Sequence, residues 1–126
     1  MVQKQELLLL YGFSEERLAV ITEIAKGLKI AKRIIKPLEI SQRVGFLIGK
    51  KGFKEEPPAA EPLDKELLVI AHLSPKRLDK LLEAMKAAEF KVPYKCVLTP
   101  KNTLWTLDYL AEHMTQEHAS MQEKNG

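Results

Sequence analysis

A single cysteine, Cys96, is present among 126 residues. One thiol closes no internal disulfide, so a disulfide-stapled scaffold is excluded and nothing argues for an oxidising compartment. Cys96 lies in the apolar stretch 94–98 and reads as a small buried hydrophobe rather than a nucleophile. Long apolar runs are missing too: none approaches the roughly 18–20 residues that span a bilayer. The run 7–13 is followed by Ser14-Glu15-Glu16-Arg17 and has no small-residue cleavage pattern, so it reads as a strand and not as a signal core. The expected location is the cytoplasm, with no membrane contact. Aromatics are scarce, at 6%, with one tryptophan, Trp105. No Gly-x-Gly-x-x-Gly occurs. Residues 45–51 miss the P-loop, because three residues separate Gly45 from Gly49 and Lys51 stands where a magnesium-binding hydroxyl belongs.

What is present suits one globular domain: 45% hydrophobic and 29% charged residues, with a net charge of +3. A chain of this length buries about two-thirds of its unfolded surface, enough for a core without staples. The charge is uneven. Residues 1–54 carry a net +6 and residues 55–126 a net −3. Lys26, Lys29, Lys32, Arg33 and Lys36 crowd the basic part, which reads as a solvated edge.

The chain resembles itself at an offset of 60. Between positions 6 and 28, eight of 23 pairs are identical, among them Glu6/Glu66, Ser14/Ser74 and Arg17/Arg77. Two copies are too few for a solenoid, so they read as two halves of one domain, 6–49 and 66–114. Residues 50–65 form the linker, and 116–126 a polar tail expected to fray.

Each half predicts the same elements. A short apolar run of strand length comes first. Ser14 or Ser74 then caps a helix, with Glu15-Glu16 or Pro75 suiting its first turn. Apolar residues recur at helical spacing, at Leu18, Ile21, Ala25 and at Leu78, Leu81, Met85. Gly27 is the expected stop of the first helix. An extended segment follows at 94–99; its counterpart 30–36 has blurred alternation and fits either an extension of the first helix or, as the repeat favours, a strand, and Pro37 and Pro100 close the two segments. Ser41 then caps a short helix, and Asn102 or Thr103 a last one with Leu104, Leu107, Leu110, Ala111 and Met114 on its apolar stripe. The expectation is an α/β domain of two β-α-β-α repeats with a four-stranded sheet packed by helices. A third strand returning antiparallel gives a ferredoxin-like α+β alternative.

The segment Val97-Leu98-Thr99-Pro100-Lys101-Asn102-Thr103-Leu104-Trp105-Thr106-Leu107, with Leu110 and Glu117-His118, resembles the signature of a family of small bacterial proteins, domain of unknown function 3783. The Tyr11-Gly12-Phe13-Ser14 turn is similar to that family as well. The resemblance implies no activity and supplies no catalytic residues.

No Ser/His/Asp or Cys/His constellation assembles from the residues, which points to a non-enzymatic regulatory or protein-interaction module without a cofactor, docking a protein partner or a second copy as a homodimer. Trp105 and Tyr109, one helical turn apart, could stack a ligand or form an interface; the favoured reading for Trp105 is a core aromatic of the last helix. A parallel sheet would gather several helix N-termini at one edge and form a small-anion or nucleotide site. Its residues would be Tyr11, Ser14, His72, Ser74, Thr99, Lys101, Asn102 and Trp105. The third alternative is RNA binding through Gly49, Lys50, Lys51 and Gly52, which match the Gly-x-x-Gly loop of KH domains. That loop joins two helices, and Pro57-Pro58 disfavour the second, so nucleic acid is not the expected partner. His113 and Glu117, four apart, read as a solvated helix face and not as a metal site.

Overall fold

A computed structural model describes residues 5–58 and 61–125, and side chains as far as Glu117. Strands β1 (Leu7–Tyr11), β2 (Ala31–Ile35), β3 (Leu67–Ala71) and β4 (Lys95–Val97) form one sheet in the order β2-β1-β3-β4. Helices α1 (Glu15–Leu28) and α3 (Pro75–Ala87) connect β1 to β2 and β3 to β4. The short α2 (Val44–Leu47) and the long α4 (Leu107–Asn125) follow two 3-10 turns, Pro37–Ser41 and Asn102–Leu104.

The two central strands are apolar throughout because both faces of the sheet are covered. Leu8, Leu10, Leu68 and Ile70 pack against Ile21 and Ala25 of α1 and Leu81 and Met85 of α3. Leu9, Tyr11, Leu67 and Val69 pack against Ile40, Val44, Leu47 and the stripe Leu107, Leu110, Ala111 and Met114 of α4. The result is three layers, helices on either side of the sheet.

β1 pairs with β2 in parallel, and β3 with β4, but β1 and β3 run antiparallel. The domain is α/β, with a mixed sheet. The ferredoxin-like alternative is set aside. That fold splits its β-α-β units, whereas here each unit keeps its two strands side by side.

Positions sixty apart meet around a local two-fold axis. Leu9 pairs with Val69 at the centre of the β1–β3 register. Arg17 Nε donates to Glu66 at 2.5 Å, and Arg77 donates to Glu6 through Nε at 3.0 Å and Nη2 at 2.8 Å. Beneath the other face, Arg43 and Thr106 form an antiparallel bridge. There the Val44 amide donates to the Trp105 carbonyl at 2.8 Å, and the Leu107 amide to the Gln42 carbonyl at 2.9 Å. Each half thus satisfies polar groups of the other.

Several element ends differ from the sequence reading. α1 runs past Gly27 and stops at Lys29, whose φ is 59°. The Ile30 amide there donates to Ala25 at 2.9 Å, so a wrapped-back turn with Ile30 tucked into the core replaces the glycine stop. Glu89 and Phe90 end α3 the same way, with φ 54° and a 2.8 Å bond to Met85. Ser41 is buried at the end of a 3-10 turn, and Arg43 occupies the N-cap position of α2. The extended segment 94–99 contracts to a three-residue β4. α4 continues through Asn125, beyond the point where fraying is expected; its Gln, Glu, Lys, Ala and Met residues are good helix formers.

Candidate functional site

The mixed sheet divides the expected anion site. The strand ends at Tyr11 and Ile35 lie at one edge, and those at Ala71 and Val97 at the opposite edge. Tyr11 and Ser14 are therefore separated from His72, Ser74, Thr99, Lys101, Asn102 and Trp105. The antiparallel β1–β3 pair is the reason, since it reverses the second half against the first.

Most of these side chains hold the backbone. Ser14 Oγ accepts the Arg17 amide at 3.3 Å, and Ser74 Oγ the Arg77 amide at 3.2 Å. Tyr11 Oη donates to the Leu63 carbonyl at 2.9 Å and accepts its amide at 2.8 Å, which pins the linker to the sheet. His72 Nδ1 lies 2.8 Å from the Gln5 carbonyl. Asn102 does not cap α4; its Oδ1 accepts the Thr99 amide at 2.8 Å, and Thr99 Oγ1 accepts the Asn102 amide at 3.1 Å. Thr103 Oγ1 donates to the Thr99 carbonyl at 2.7 Å. Among the described residues, no buried side-chain nitrogen or oxygen lacks a partner. No three His, Cys, Asp or Glu side chains gather there as a metal-binding group.

Gly49, Lys50, Lys51 and Gly52 follow the four-residue α2, and among the described residues no helix comes after them before β3. The described residues thus do not form the two-helix frame that a KH loop needs. Partial burial, with the charge of Glu117 adding to it, pushes the Cys96 thiol up to about 12, so it is no thiolate near neutrality.

A different cluster forms on the α4 side. Trp105, Tyr109 and His113 recur every fourth residue, so α4 lines Tyr109 and His113 up beside the tryptophan that precedes it. His113 stacks on Trp105 at 4.5 Å between centroids, and Tyr109 meets Trp105 edge-on at 5.0 Å. Lys101 Nζ lies 6.0 Å from the Trp105 ring. Leu104, expected on the buried stripe, is 57% exposed, and Tyr109 is 44% exposed. Leu104 falls in the 3-10 turn ahead of α4, out of the helical phase that buries Leu107.

Leu104 also borders a cleft of about 550 Å³ with Arg43, Lys51, Gly52, Phe53, Lys54 and Glu56. Two anchors shape it. Phe53 packs on Gly45, where an added Cβ would lie 2.4 Å from the ring. Gln42 and Glu56 exchange bonds of 2.5 and 2.8 Å. A second cleft, about 300 Å³ and mostly apolar, opens at the other sheet edge between Phe13, Leu18, Ile34, Pro37 and Pro62. Sequence reasoning missed Arg43, Phe53 and Lys54, because they lie outside any periodic pattern. The four-residue spacing of Trp105, Tyr109 and His113 was the available signal for the ridge.

Among the described residues, no helix is long and apolar enough to cross a membrane. Comparison with curated proteins and with solved structures gives no match. Residues 66–121 match the model of the family described as a domain of unknown function (DUF3783), and this segment, from β3 well into α4, belongs to that family.

Proposed function

We propose that this chain is a non-enzymatic protein-interaction module of the cytoplasm, docking through the ridge of Leu104, Trp105, Tyr109 and His113. One observation carries the reading: Leu104 and Tyr109 stay exposed beside Trp105 while the neighbouring Leu107 and Leu110 are buried. Tryptophan and tyrosine dominate the energetic centres of protein interfaces. Mutual stacking holds the three rings in place before a partner arrives, so little side-chain freedom is lost on docking. The polar residues expected at an anion site are engaged with backbone groups in turns, helix caps and a contact to Gln5.

Site-directed photo-crosslinking tests the reading. A photoreactive side chain at position 109 should give one discrete adduct with a partner chain in cells, and Leu104→Ala should remove it. The same group at Glu23, exposed on α1, should give none. Equal adducts from both positions, or none from position 109, would refute the docking ridge.

A further inference from the structure

We infer that the segment docking here is acidic, with an apolar side chain seated over Leu104 in the cleft beside Arg43, Lys51 and Lys54. The inference rests on the ridge proposed above and names the chemistry of its partner.

Three cations and one carboxylate border the cleft. That carboxylate, Glu56, lies 3.3 Å from Arg43 Nε. Lys51 and Lys54 are exposed and reach the same opening. Arg43 is half-exposed, and its Nη1 also donates to the Leu104 carbonyl at 2.5 Å, so the charge and the apolar residue are held together. Lys101 Nζ, 6.0 Å from the Trp105 ring, adds a fourth cation at the near end of the ridge; α4 itself carries Asp108 and Glu112, so the positive field belongs to the cleft. Such a field steers acidic partners and rejects basic ones. A second copy of this chain would set the same cations against one another, which disfavours self-docking at this surface.

Single-stranded nucleic acid would also meet the charge. It needs open ring faces on which bases stack. Trp105 has His113 stacked against it and the edge of Tyr109 beside it, which suits side-chain packing better than base stacking.

Trp105 is the chain's one tryptophan, so its emission reports on this surface in the full-length protein. Three probes of about 12 units serve: a peptide alternating glutamate and leucine, one alternating lysine and leucine, and oligo-dT. The acidic peptide should bind saturably at low salt, and binding should weaken about tenfold or more as salt rises to roughly 0.3 M. Calorimetric titration in parallel detects binding that leaves the emission unchanged. The pair Lys51→Glu and Lys54→Glu, both solvent-facing, should cut affinity at least about tenfold at an unchanged Tm. No binding of the acidic peptide, equal binding of the basic one, or tighter binding of oligo-dT would overturn the inference. A crosslink from position 109 that survives the lysine reversals would keep the docking ridge and discard the acidic partner. Loss of that crosslink in the otherwise native chain would discard the ridge itself.

Discussion

Glu6 receives two nitrogens of Arg77, and the hydrogen bonding holds its carboxyl below the ordinary 4.5 despite an opposing cost of desolvation. A carboxyl with a lowered folded-state pKa stabilises the protein above its unfolded pKa, and that contribution fades as pH falls through the folded value. Glu6→Gln should therefore lower Tm at neutral pH. The gap between the two proteins should close as pH drops below about 4.5. Thermal melts from pH 7 to pH 3 check this; a gap that stays constant would mean that the charge is not the source. The sequence showed Glu6, Glu66, Arg17 and Arg77 as matched identities. It did not show that each arginine serves the other half's glutamate, because spacing along a chain carries no information on how two strands are turned against each other.

At the level of elements, strand and helix centres were legible and their ends were not. Apolar runs and helical spacing located β1, α1, β3 and α3 because core contacts dictate those patterns. Ends depend on single backbone conformations. Gly27 invited a helix stop, yet Lys29 takes the left-handed conformation. Ser41 and Asn102 looked like caps and became parts of 3-10 turns. The site was harder to see for a related reason: Leu104 fits the stripe of α4 by spacing and leaves it once the helix starts at Leu107. Two glycines make opposite predictions. At Gly12, with φ 81°, a Cβ would lie 2.2 Å from the Lys65 carbonyl oxygen. Gly12→Ala should destabilise the β1–α1 turn by about 1–3 kcal/mol. Gly27 sits inside α1 with nothing within 4 Å of an added Cβ, so Gly27→Ala should stabilise by about 0.5–1 kcal/mol. Denaturant melts of both variants measure the pair; the same sign for both would contradict these conformations.

Across the whole molecule, two similar halves were legible along the chain but their relation was not. Both faces of β1 and β3 are covered, so these strands are apolar throughout, and composition and periodicity do not separate parallel from antiparallel joining. The antiparallel choice decided that the strand ends face opposite ways and that no single edge gathers the helix starts. It also makes the halves interdependent, since β1 and β3 are each other's central neighbours. Native-state hydrogen exchange should show the amides of β1 and β3 opening with equal free energy, as one cooperative unit. β1 amides that exchange through a separate, lower-energy opening would show that the first half unfolds independently.

The pairing of Leu9 with Val69 spans sixty residues of chain, and synthesis supplies those residues in order. At roughly 5–20 residues per second, β1 leaves the ribosome several seconds before β3 can reach it. During that interval β2 and α1 can form around β1, while its other edge, of four consecutive leucines, waits unpaired. Such an edge is what chaperones bind and what drives nascent chains to aggregate. The yield of folded protein should thus respond to how fast residues 12–71 are translated, even though no residue of the finished molecule records that wait.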